Sequence, residues 1–113
     1  MKSTFATLVT IALLGGLNGQ SALAQETGTY TLSIKNHQFE PSELQVPAGQ
    51  KFKLIVDNQD STPEEFESHA LKLEKVIPGK RQATLIVGPL QPGRYDFLGE
   101  FHEKTAKGRL VAQ

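Results

Sequence analysis

The chain has 113 residues, with 12 basic and 12 acidic side chains, three histidines and no cysteine. That balance supplies no basic surface for nucleic acid or an anionic membrane. The missing cysteines exclude a disulfide framework and any thiolate chemistry.

Residues 1–24 combine Lys2, an apolar stretch from Phe5 to Leu17 and the small-residue triplet Ala22-Leu23-Ala24, the three parts of a secretory signal. The apolar stretch is shorter than the roughly 20 residues a membrane-spanning helix needs, and Gly15, Gly16, Asn18 and Gly19 follow or interrupt it. Cleavage before Gln25, export to the periplasm and no direct membrane insertion are therefore expected. Residues 25–113 then form one domain, 89 residues with 11 basic and 12 acidic side chains. A domain of that size buries roughly 60–65% of its unfolded surface. An exported domain without cysteines must rest on packed strands alone, which points to a compact all-β sandwich.

Gly28 to Lys35 alternates, with Tyr30, Leu32 and Ile34 on one face, and predicts a first half-buried strand. Asn36 to Pro41 breaks the pattern, Ser42 to Val46 resumes it, and Pro47-Ala48-Gly49 signals a turn. Lys51 to Asn58 alternates through Phe52, Leu54 and Val56. After a polar, proline-broken stretch, Phe66 to Glu74 predicts a further strand, with Glu67, His69, Leu71 and Leu73 on one face and Leu71 and Leu73 as its core pair. Val76-Ile77-Pro78-Gly79 predicts a turn, Gln82 to Val87 a strand, and Leu90-Gln91-Pro92-Gly93 leads into Tyr95 and Phe97. The last strand ends in a loop carrying Glu100, His102 and Glu103 before Gly108-Arg109-Leu110-Val111 closes the chain.

Two stretches carry a family resemblance. Phe39-x-Pro41-x-x-Leu44-x-Val46-x-Ala48-Gly49-x-x-Phe52-x-Leu54-x-Val56-x-Asn58 is similar to the opening half of the cupredoxins, and Leu90-x-Pro92-Gly93-x-Tyr95-x-Phe97 to the approach to their last loop. The resemblance runs from residue 28 to 112 and implies a Greek-key β-sandwich in which two distant segments meet at one end to hold a metal. It departs from the family at one decisive place: Gly99 stands where the copper-binding cysteine is expected. A blue copper site needs a thiolate with two imidazoles, so a type 1 site is excluded.

Under that resemblance His69 and His102 take the places of the two ligand histidines. Glu67 lies two residues before His69 on the same expected face, and Glu100 has the same spacing from His102. The expected metal set is therefore His102, His69, Glu67 and Glu100, with Glu64, Glu65, Glu74 and Glu103 ranked behind them. His37 is read as surface. Imidazoles and carboxylates suit copper, iron or zinc, and intrinsic affinity favours Cu(II).

Cys-free domains with a Phe-Glu-Ser segment and a Gly-Glu-Phe-His loop resemble the EfeO-type group and the small periplasmic cupredoxins of bacterial iron uptake. The resemblance implies a copper- or iron-binding protein with a membrane permease or periplasmic protein as partner. A metal-free cupredoxin-fold binding module in a transport complex is the alternative. An enzyme is not expected, since the sequence offers no nucleophile with a base and no phosphate loop.

Overall fold

The computed structural model describes residues 28–113, so the expected signal lies outside the described residues. Among them the strands are β1 (Thr29–Lys35), β2 (Gln38–Glu40), β3 (Glu43–Val46), β4 (Phe52–Asn58), β5 (Glu64–Ser68), β6 (Leu73–Ile77), β7 (Gln82–Val87), β8 (Gly93–Gly99) and β9 (Lys107–Ala112). A short 3-10 turn, Glu100–His102, lies between β8 and β9. No helix among the described residues is long and apolar enough to cross a membrane.

The strands form two sheets, ordered β2-β1-β4-β7 and β3-β9-β8-β5-β6. The chain changes sheet after β2, β3, β4, β6 and β7, and β1 pairs in parallel with β4 and β3 with β9, while the other pairings are antiparallel. Alternation explains the packing. Leu32 and Ile34 of β1, Phe52, Leu54 and Val56 of β4, Phe66 of β5, Phe97 of β8 and Leu110 of β9 point between the sheets and are buried. Each such side chain contributes about 1.5–3 kcal/mol on leaving water. In place of a disulfide, this apolar filling is what holds the sheets together.

Three phenylalanines close the core near one pole. Phe39 and Phe97 meet edge to face at 4.9 Å, Phe66 and Phe97 lie 5.2 Å apart, and Phe39 and Phe66 lie 6.1 Å apart. Two residues along the chain from them stand His37, Gly99 and Glu64 respectively, so the aromatic trio is the floor of that pole.

Three expectations are corrected here. The expected strand from Phe66 to Glu74 is a hairpin: β5 ends at Ser68, residues 69–72 turn, and β6 begins at Leu73. Ser68 fixes that turn, its buried Oγ donating to the Asp96 carbonyl at 2.6 Å and accepting the Leu71 N–H at 3.1 Å, and Lys72 takes a positive φ of 58°. His69 therefore sits in a turn and not on a strand face, and Val76 and Ile77 belong to β6, with the turn confined to the residues after them. The segment from Asn36 to Pro41 contains β2, which pairs with β1 through Ile34 and Phe39.

Candidate metal centre

β4 ends in Asn58, whose buried side-chain amide donates to the carbonyls of Thr62 at 2.9 Å and Ile77 at 3.0 Å, while its oxygen accepts the Asp60 N–H at 3.1 Å. This shapes the loop that follows and presents Asp60 to the β1–β2 turn. There the Asp60 carboxylate accepts the N–H groups of Asn36 at 2.8 Å and His37 at 2.9 Å. Burial works to raise its pKa, but these two donors, with the charges of His37 and Lys80, outweigh it and hold the carboxyl below its usual range. Asn36 and His37 both take positive φ, 55° and 59°, which aims the His37 ring over the pole.

β5 begins with Glu64, which shares the inward parity of Phe66 and is almost fully buried, at 1% exposure. Its Oε2 lies 2.6 Å from Nδ1 of His102, and its Oε1 accepts the N–H groups of Phe101 at 2.8 Å and Glu65 at 3.0 Å. The loop closes on itself, with Ala106 N–H donating to the His102 carbonyl and Gly99 N–H to the Ala106 carbonyl, both at 2.8 Å. Gly99 has an extended backbone, so it is glycine for room and not for φ. A Cβ there would stand 2.7 Å from Cδ of Glu64 and 2.8 Å from Cβ of Ala106.

The opposite parity of β5 carries Glu65 and Glu67 to the outer face. Glu67 pairs in register with Glu74 of β6, and Phe66 with Gly99 of β8, which brings Glu100 alongside. One carboxylate oxygen from each of Glu65, Glu74 and Glu100 lies within 4.8 Å of the others. A hydrogen bond with the Glu74 carboxyl, then burial and the charges of Glu74, Glu100 and Glu67, push Glu65 up to about 7. A hydrogen bond with Glu67, then burial and the charges of Glu67 and Glu74, raise Glu100. Among the described residues no lysine or arginine forms an ion pair with these four acids.

The four residues expected as metal ligands thus divide. Glu67 and Glu100 come together on the outer face, and His69, its side chain 93% exposed, reaches Glu67 at 3.6 Å. His102 is on the pole with Glu64. Glu64, Glu65 and Glu74, expected only behind these four, and His37, expected at the surface, make the contacts that define the two groups. A parity count backward from Phe66 finds Glu64, whereas Glu65 and Glu74 become neighbours only through the β5–β6 hairpin.

The fold and the pole define a cupredoxin-type β-sandwich that has kept the loop and lost the thiolate. The chain matches the cupredoxin-like domain family over residues 5–112 and belongs to it. It is 42% identical over 80 residues to the uncharacterized protein RP394 of Rickettsia prowazekii (strain Madrid E), covering 71% of this chain and 64% of that one, so it spans under two thirds of that relative's length. The fold is similar to auracyanin A, described as a "blue" copper protein from Chloroflexus aurantiacus, with a TM-score of 0.65 and 17% identity over 75% of this chain and 98% of that one. It is also similar to an amicyanin variant in its Cu(I) form, with a TM-score of 0.63 and 20% identity over 76% of this chain and 83% of that one.

Proposed function

We propose that this is a periplasmic transition-metal-binding protein serving metal uptake, with iron as its cargo ahead of copper, delivered to a permease or a periplasmic partner. The observation that carries this reading is the convergence of Glu65, Glu74 and Glu100 within 4.8 Å, with Glu67 alongside Glu100 and, among the described residues, no lysine or arginine ion-paired to any of them. Such a group repels itself, and a cation relieves the repulsion. All-oxygen donors suit harder ions than the imidazole-rich set of a copper site does, which shifts the preference from Cu(II) toward iron. His69 can swing in from its turn as one nitrogen donor. His102 stays outside this set because its Nδ1 is bonded to Glu64.

Anaerobic calorimetric titration with Fe(II), and separately with Cu(II), tests the reading. One ion should bind the wild type and neither should bind Glu65→Gln/Glu100→Gln, a pair of isosteric changes that leaves the core untouched. Equal binding by both proteins would rule the cluster out. One observation favours the metal-free binding module instead: Phe101 is 49% exposed beside Glu100. Retention of a partner by the doubly substituted protein would favour that account.

A further inference from the structure

We infer that the pole where cupredoxins hold their metal is closed in this protein by a hydrogen bond between Glu64 and His102, and that this bond, not an ion, ties the last loop to β5. Four observations meet there. First, Gly99 offers no donor atom, and the space its side chain would need is filled by the Glu64 carboxyl, 2.7 Å from the position of a Cβ. Second, both oxygens of Glu64 are already engaged, Oε2 by Nδ1 of His102 and Oε1 by two backbone N–H groups. Its side chain is 2% exposed and that of His102 27%.

Third, the spacing is wrong for an ion. Imidazole nitrogen and carboxylate oxygen bind zinc at about 2.0–2.2 Å, so two such donors at octahedral or tetrahedral angles stand about 2.9–3.4 Å apart. Nδ1 and Oε2 are 2.6 Å apart, the spacing of a charge-assisted hydrogen bond. Fourth, the neighbours do not complete a donor set. His37 stacks on His102 with planes only 10° apart, and the in-plane lone pairs of parallel rings cannot converge on one ion. Thr105 donates its hydroxyl to the His37 carbonyl at 2.6 Å. One nitrogen and one oxygen remain, half of a four-coordinate set.

The bond does mechanically what a metal would do. Glu64 grips two consecutive residues, Phe101 through its N–H and His102 through its ring, and so fastens the 3-10 turn to the start of β5.

The test is long-range proton–nitrogen NMR of the histidine rings in the wild-type protein, before and after saturating Zn(II), a diamagnetic probe that binds imidazole and carboxylate. A downfield, slowly exchanging Nδ1–H of His102 is expected, unchanged by Zn(II), and shifted upfield in Glu64→Gln. If that variant does not fold, the wild-type titration decides alone. Loss of the Nδ1–H signal at one equivalent of Zn(II), with the nitrogen shift of a metal-bound ring, overturns the inference, as does its absence before Zn(II) is added. If calorimetry detects no Zn(II) uptake while the signal persists, the closed pole stands and only the metal reading of the outer cluster suffers.

Discussion

His37 lies flat on His102, ring centroids 3.6 Å apart and planes within 10°, so the turn between β1 and β2 is packed against the loop between β8 and β9. The contact depends on backbone as much as on side chain, because His37 takes a φ of 59° that residues with a Cβ adopt at a cost. Replacing His37 by Ala should lower stability by about 0.5–1.5 kcal/mol through the lost ring contact. Replacing it by Gly loses the same contact and relieves about 1 kcal/mol of left-handed strain, so it should be the milder change. Urea unfolding of the two variants checks the order. If Gly is the worse substitution, the backbone account of this turn is wrong.

Gly99 bears on colour and on stability together. Gly99→Ala should destabilise by about 1–3 kcal/mol, since its methyl would meet the Glu64 carboxyl and Ala106. Copper added to the wild type should show only weak ligand-field absorption, as no thiolate is present. Gly99→Cys alone should not place a thiolate on the pole, whereas Gly99→Cys combined with Glu64→Ala should be less destabilised than the two single changes together predict. A strictly additive double-mutant cycle would show that the two residues do not compete for one space.

The acidic face makes stability fall with rising pH. Glu65 is raised from 4.5 to about 7 in the folded protein, so between those values the folded state holds a proton that the unfolded state releases. The contribution is fully present below about pH 4.5 and is lost as pH rises through about 7. Urea midpoints measured across this range should decline in the wild type and be flatter in Glu65→Gln. Metal affinity should move the opposite way and strengthen with pH, because an ion competes with the proton that Glu65 holds. Parallel stability profiles in the two proteins would contradict the assignment.

Asn58 is a structural hub. Its amide donates to the carbonyls of Thr62 and Ile77 and its oxygen caps Asp60, which in turn fixes His37. Asn58→Ala should therefore cost at least the upper end of the about 1–3 kcal/mol associated with an orphaned buried polar group. It should also broaden the His37 and His102 ring signals in NMR. Intact ring signals would show that the loop does not depend on Asn58.

The all-β character and most strands were legible because alternation is strong where one face is buried: Tyr30-Leu32-Ile34, Phe52-Leu54-Val56 and Tyr95-Phe97 each mark a real strand. The β5–β6 hairpin was not legible, since the residues of its turn continue an apparent period of two through Leu71 and Leu73 while the true inward parity is that of Glu64, Phe66 and Ser68. That one slip placed Glu67 on the core side of the strand and left Glu64 out of it. It also hid the pairing that sets Glu74 opposite Glu67. β2 is only three residues long, too short for a period to register.

Glu64 and Glu65 are adjacent, yet one closes the interior of the sandwich and the other belongs to its outer acidic face. The step from Glu64 to Phe66 is therefore counted to the residue. Deleting or inserting a single amino acid just before Phe66 would move Glu64 off the inward face, so the start of this strand has no freedom to slip by one, even though the loop that leads into it is mostly solvent-exposed.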